Sequence, residues 1–327
     1  MRAIIIARPG DLGSLEIHEV ATPEPRAGQI RVRVHACGLN RADLLQARGL
    51  YPAPPGVPAD IPGLEYAGEV DRLGPGTSGL HNVGDRVFGI VGRGGLAEFI
   101  VTEERMAVPI PGRFDFTEAA AVPESFITAH DALDHQGRAR SGDRVLIHAV
   151  GGGVGTAAVQ VAHALGCTVF GTSRTPEKLD LARPLGVDVP ICTSSEDFAR
   201  VIRDRTNGQG VQVVIDFLGA SALAGNLDSL AIGGRLVLVG LLGGSAASLD
   251  LGTLLAKRAT VVGTTLRARP LEEKIAATRR FADSVIPWLG RGLVRPVVDR
   301  SFPFGEFRGA IERMSSNLGF GKIVLRL

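Results

Sequence analysis

Residues 145–155 read Val-Leu-Ile-His-Ala-Val-Gly-Gly-Gly-Val-Gly, and 156–162 continue Thr-Ala-Ala-Val-Gln-Val-Ala. An apolar β-branched run predicts a buried strand, the glycines a tight turn, and the Ala-rich segment a helix. In that strand–turn–helix setting a glycine fingerprint signifies a dinucleotide site. Gly152, Gly153, Val154 and Gly155 would bring backbone N–H groups to a pyrophosphate at the helix N-terminus, where the dipole favours an anion. The strict spacing is imperfect, because Val150 holds the first glycine place. The looser G-x-G-x-x-A form fits Gly153, Gly155 and Ala158. A glycine-rich turn without a ligand is the alternative reading.

A site for NAD usually carries an Asp or Glu about 20 residues past the glycines, to accept from the ribose 2′-hydroxyl. Here the next strand ends on Ser173-Arg174, and Lys178 follows one helical turn on. A 2′-phosphate needs donors and positive charge, which these residues supply. The expected cofactor is NADPH; a solvated basic turn is the alternative. Phe217 and Leu218, then Gly240, Leu241 and Leu242, and lastly Leu266, end or follow later predicted strands. Ligands of open α/β sheets bind at those carboxyl ends.

Tyr51 is one of two tyrosines and stands where Gly-Leu-Tyr meets a Pro-rich segment. It is read as a hydrogen-bond or proton donor to a substrate, against the alternative of a ring packed on prolines. The seven histidines show no ligand spacing with one another or with Cys, and no C-x-x-C occurs, so no metal is expected. His148 and His163 read as satisfied structural residues.

The elements that must carry these residues fall into two patterns. Residues 1–120 read as short strands (3–6, 15–19, 29–37, 66–73, 86–90 and 97–101) with one helix over 40–48 and a Pro-rich surface loop over 51–62. From 123 onward the pattern alternates. Strands are predicted over 144–149, 168–172, 187–191, 211–217, 235–240 and 260–264, and helices over 155–165, 176–185, 195–207, 219–231 and 251–258. Six apolar strands with helical crossovers predict an α/β fold with a doubly wound, parallel Rossmann sheet. Residues 271–291 predict a long amphipathic helix, and the tail 294–327 a pair of strands around a short helix. The domain reading is 1–122, then 123–266, then 267–327 as a return to the first domain.

Composition narrows the function classes. A net charge of +2 over 327 residues argues against nucleic acid as a partner. The N-terminal apolar run stops at Arg-Pro-Gly, too short for a signal peptide, and no run approaches membrane-spanning length. Cys37, Cys167 and Cys192 are odd in number and far apart, which fits a reduced, cytoplasmic compartment.

The chain resembles the zinc-free quinone oxidoreductases of the medium-chain dehydrogenase/reductase superfamily. The carriers are Cys-Gly-Leu-Asn-Arg-Ala-Asp (37–43), Arg-Gly-Leu-Tyr-Pro-Ala-Pro-Pro (48–55), Ile-Pro-Gly-Leu-Glu-Tyr-Ala-Gly-Glu-Val (61–70), Val-Gly-Asp-Arg-Val (83–87), the glycine turn, and Gly-Lys-Ile-Val-Leu (321–325). The resemblance implies a GroES-like β-rich catalytic domain completed by the tail, with the Rossmann domain inserted. It implies no zinc: a ligating Cys is replaced by Asn40 and a ligating His by Leu64, leaving Glu65 alone. It also implies that Asn40 lies beside nicotinamide and acceptor, that the Thr128 hydroxyl meets the carboxamide, and that Asn317 and Lys322 close over the nicotinamide end. A helix N-cap, intrahelical back-bonding and a surface ion pair are the respective alternatives for Asn40, Thr128 and Lys322. Two residues depart from the family pattern. Thr193 stands in place of a Tyr near the 2′-phosphate, and Val150 in place of a small residue, which predicts a wider phosphate turn.

Without a Lewis acid the acceptor must take hydride readily, and quinones and enones do. The expected activity is hydride transfer from NADPH to a quinone in an interdomain cleft. An enone or enoyl-thioester reductase and a non-catalytic NADPH-binding protein are the alternatives. The apolar segment 259–264 is expected at a sheet edge, paired with its twin in a homodimer.

Overall fold

The computed structural model describes residues 1–51 and 60–327. Most of the Pro-rich loop expected over 51–62 therefore lies outside the described residues, as does the packing of Tyr51 on its prolines. The chain divides into two compact units. One holds Met1–Ile127, Leu266–Arg291 and Pro296–Leu327; the other holds Thr128–Thr265 and Gly292–Arg295.

The first unit is built on Gln29–Leu39, an 11-residue strand whose inward residues Ile30, Val32, Val34 and Cys37 are buried. It pairs antiparallel with Glu65–Leu73 on one side and with Lys322–Arg326 on the other. Lys322–Arg326 in turn pairs in parallel with Val298–Pro303, so the tail closes the sheet. Three strand ends converge as a result. Ile323 lies opposite Leu39, and Ala67 opposite Ala36, which sets Lys322 and Glu65 on either side of the Gly38–Asn40 turn into the next helix. That helix, Arg41–Ala47, has Asn40 as its N-cap residue, and Asp43 closes the cap by accepting Asn40 N–H at 2.7 Å. Ile4, Leu15, Tyr66, Phe304 and Phe307 pack into the core of this unit.

The second unit carries six parallel strands: Arg144–Ile147, Thr168–Ser173, Val189–Cys192, Val211–Asp216, Leu230–Leu238 and Thr260–Gly263. Numbered within the unit, their order is 3-2-1-4-5-6, that of a doubly wound dinucleotide-binding sheet. Thr260–Gly263 forms one edge, as its apolar sequence led us to expect. Val145, Leu146, Val214 and Leu236 are fully buried, as parallel strands covered on both faces require.

Several boundaries differ from the sequence reading. The helix expected over 195–207 begins only at Phe198, because Asp197 caps it and Ser195 and Glu196 turn back to the Cys192 carbonyl. The helix expected over 219–231 is a 3-10 turn, Gly219–Ser221, then Leu223–Ser229. The following strand starts early, at Leu230, and carries an irregularity at Gly233-Gly234 that alternation alone does not reveal. The sequence reading gives no bounds for the helix around Thr128, which spans Pro123–His130, and omits the π-helical Asp131–Gln136 that continues it. Among the described residues no helix is long and apolar enough to cross a membrane.

Candidate functional site

In the β-rich unit the converging strand ends assemble a buried polar cluster. Lys322 is 5% exposed and Glu65 not at all. Lys322 Nζ donates to Glu65 Oε1, to Asn40 Oδ1 at 2.6 Å and to Leu39 O at 3.1 Å. Asn40 Nδ2 donates to the same Glu65 oxygen at 2.8 Å, and Glu124 N–H donates to the other, also at 2.8 Å. Lys322 is therefore not the surface ion-pair residue of the alternative reading. Its register opposite Leu39 carries it indoors. Gly38 makes the room: a Cβ there would stand 2.2 Å from Glu65 Oε1 and 2.7 Å from Ala120 O.

Two further acids adjoin this cluster. Asp43 is buried and accepts from Asn40 N and, at 2.9 Å, from Gly63 N. Burial pushes its carboxyl up to about 6, against those hydrogen bonds and the Lys322 charge. Glu124 opens the Pro123–His130 helix. Burial, reinforced by the Glu65 charge, pushes it up to about 8, so it holds its proton at neutral pH. Glu124 also lines a cavity of about 660 Å³ within this unit, together with Leu64, Leu266, Arg93, Arg267 and Lys274. Leu266, expected at the cofactor, belongs to this wall. Tyr51 stands against it through Arg267, whose guanidinium carbon lies 4.4 Å from the ring centroid. Asn317 is an exposed residue at φ 57°, just past the helix Phe307–Ser315, and it accepts a hydrogen bond from Arg41. Asn tolerates that left-handed conformation well.

In the second unit the remaining expected residues gather along the carboxyl edge of the parallel sheet. The phosphate turn is compact. A Cβ on Gly155 would stand 2.2 Å from Ala149 O, so close packing of helix on strand demands glycine. Val150 is fully buried; its N–H donates to Thr172 O at 3.1 Å, and its side chain packs over Gly171. Its bulk points into the core rather than toward the turn's outer face. Gly152 is the N-cap of Gly153–Ala164, whose first N–H groups have no acceptor within the helix. The Lys178 stem crosses the turn at Gly151, where a Cβ would stand 2.7 Å from Lys178 Cδ. Ser173 is buried and accepts from Thr175 N at 3.3 Å, Arg174 is exposed, and Thr193 Oγ1 donates to Ser173 O at 3.3 Å. No carboxylate therefore ends this strand.

Leu242 N donates to Phe217 O at 3.0 Å and Gly243 N to Leu218 O at 2.7 Å, which joins the turns after the fourth and fifth strands. Leu241 and Leu242 are exposed. Asp216, absent from the sequence reading, organises this region by accepting from Leu218 N at 2.6 Å and Gly219 N at 3.1 Å. An acid closing an apolar run before Phe-Leu-Gly is the signal that identifies it. Thr128 is half-buried in the Pro123–His130 helix, and among the described residues its hydroxyl makes no hydrogen bond, so back-bonding is not its role. His148 is a structural residue: it lies between Thr172 Oγ1 (2.9 Å) and Asn226 Oδ1 (2.7 Å), and burial holds its imidazole down to about 4.

Residues 26–112 match the alcohol dehydrogenase GroES-like domain, and 153–283 the zinc-binding dehydrogenase family. The chain is 32% identical to a rat quinone oxidoreductase, over 100% of this chain and 98% of that one. Among solved structures it is similar to a Pseudomonas syringae quinone oxidoreductase (TM-score 0.90, 29% identity, 100% and 99% covered). It is also similar to a mycobacterial protein complexed with NADPH (0.90, 27%, 100% and 100%) and to the CurK enoyl reductase (0.88, 29%, 99% and 98%). A GroES-like unit with a Rossmann unit of this order defines an oxidoreductase of the medium-chain type. Within that class the chain belongs to the quinone oxidoreductase-like group of the medium-chain dehydrogenase/reductase superfamily.

The name of one matched family raises zinc, and the Asn40–Glu65 cluster is where it would be sought. Zinc is held by three or four Cys, His or carboxylate ligands. Here Leu64 offers none, Asn40 turns an amide donor to Glu65, and the Lys322 ammonium takes the remaining approach to that carboxylate. This donor set does not fit the ion.

Proposed function

We propose that the protein is a zinc-independent, NADPH-dependent reductase whose acceptor is a quinone. The observation that carries this reading is the Lys322–Glu65–Asn40 cluster. It supplies an internal ammonium, held by protein groups, at the family's metal position, so the acceptor must be one that takes hydride without a Lewis acid. When bound, NADPH supplies the hydride.

Ser173, Arg174 and Lys178 favour the 2′-phosphate, since they offer donors and cations with no opposing acid at that strand end. Gly152 to Gly155 would carry the pyrophosphate on free N–H groups. Phe217, Leu218 and Gly240 to Leu242 would flank the remainder of the cofactor, and the free Thr128 hydroxyl suits the carboxamide. On the acceptor side, Asn40 is held rigidly by Glu65 and Lys322. Its two amide hydrogens go to Glu65 and to Gly38 O, so Asn40 orients this wall rather than donating to the acceptor. The neutral acid Glu124 is a proton-bearing group at the cavity wall, and Tyr51 stands behind Arg267. Similarity to an enoyl reductase favours an enoyl thioester as the second acceptor class.

NADPH oxidation at 340 nm, with quinones, enones and enoyl thioesters, NADH in parallel and EDTA present, tests the reading. Turnover with quinones that prefers NADPH and ignores EDTA is expected. Turnover confined to enoyl thioesters selects the second acceptor class, and abolition by EDTA overturns zinc independence.

A further inference from the structure

We propose that the cavity of the β-rich unit holds an anionic group of the electron acceptor, a carboxylate, sulfonate or phosphate, against Arg267 and Lys274. This deepens the proposed function and rests on the cavity being the acceptor's site. Arg267 is only 7% exposed, yet among the described residues its guanidinium hydrogen-bonds neutral oxygens alone: Gln46 Oε1 at 2.6 Å, Gly92 O at 3.0 Å and Tyr51 O at 3.4 Å. Those bonds, with the Tyr51 ring beneath, fix its orientation without cancelling its charge. Lys274 lines the same wall, and among the described residues its ammonium has no ion pair or hydrogen bond. Burial holds both groups below their ordinary values. Arg93 adds a third cation, depressed by burial and by the Arg267 charge, against the Asp60 charge.

Of the nearby acids, the Asp43 charge acts on Arg267, the exposed Asp60 acts on Arg93, and Glu124 keeps its proton at neutral pH; among the described residues no acid acts on Lys274. At the far end of the cavity Glu24 is bound by Arg31 and Arg72, and Glu103 by Gln29. Residues 52–59 read Pro-Ala-Pro-Pro-Gly-Val-Pro-Ala and bring no charge to any site. Three cations against two carboxylates leave this wall with excess positive charge, carried by Lys274; a half-buried cation without its own counter-charge is costly, and a ligand anion relieves that cost.

The test compares 1,4-naphthoquinone with its 2-sulfonate, which differs by one charge. Binding is read by calorimetry and turnover by KM, for the wild type, Lys274→Gln and Arg93→Gln. The wild type should bind the sulfonate at least tenfold more tightly than the neutral quinone. Each variant should lose about tenfold for the sulfonate and under twofold for the neutral compound, as the loss of one charge-assisted hydrogen bond implies. Equal wild-type affinities, or equal losses for both compounds, overturn the anion site. Charge-selective binding without turnover of either quinone keeps the site and overturns the quinone-reductase reading. Inorganic pyrophosphate should compete with the sulfonate; competition with NADPH alone would assign the anion to the cofactor and overturn the proposal.

Discussion

Lys322→Met removes one ammonium from the interior and leaves its stem. Glu65, fully buried, then keeps two of its three donors, Asn40 Nδ2 and Glu124 N, and loses the one cation that pairs with it among the described residues. Breaking a buried ion pair from one side costs about 3–5 kcal/mol. At about 2–4 °C per kcal/mol for a unit of this size, the midpoint of thermal unfolding should fall by roughly 10 °C. The deficit should also depend on pH. The Lys322 charge holds down both Asp43 and Glu124, so without it both carboxyls rise further. An acid raised in the folded state stabilises below its unfolded value and loses that contribution as pH rises through its folded value. The variant should therefore be least impaired near pH 5 and most impaired above pH 8. Urea denaturation at pH 5.5 and 8.5 measures this, and Glu65→Gln in the same background should recover part of the loss. A loss below about 1 kcal/mol at both pH values, or strict additivity of the two substitutions, would refute the reasoning, because a true buried pair must show coupling.

Three other outcomes are expected. Arg174→Ala should raise the KM for NADPH by about tenfold or more and leave that for NADH within twofold, as loss of a charge-assisted bond to a 2′-phosphate requires; equal effects on both cofactors would remove Arg174 from the site. In the wild type, Glu124, at about 8 and above its ordinary value, makes stability decline from about pH 4.5 to 8. Glu124→Gln should flatten that slope in urea titrations, and an unchanged slope would rule out the assignment. The edge strand Thr260–Gly263 should pair with its twin in a homodimer. Sedimentation at micromolar concentration should then give twice the 34.3 kDa chain mass, and a monomer would end that expectation.

The parallel sheet was legible because each of its strands is an apolar run and each crossover a helix-length interval. Those are local, periodic signals, and the carboxyl-edge positions of Gly152 to Gly155, Ser173, Phe217 and Gly240 follow from them directly. The long helix Leu271–Arg291 was legible for the same reason. Boundaries shifted where a single side chain or glycine outweighed the pattern, as at Asp197 and Gly233-Gly234. The β-rich unit's cluster could not be read this way. Lys322 and Glu65 are 257 positions apart, and Lys322 and Asn40 are 282. Nothing in Gly-Lys-Ile-Val-Leu states that its lysine is buried; the register of the last strand beside Gln29–Leu39 decides that. Arg267, Lys274 and Glu124 likewise became a set only when one cavity gathered them. Sequence alone determined the elements, the glycine turn and the missing acid after the second Rossmann strand, because these depend on neighbours a few residues away. Tertiary structure decided which charges share a dry interior, because desolvation and pairing depend on what the folded chain brings within about 4 Å.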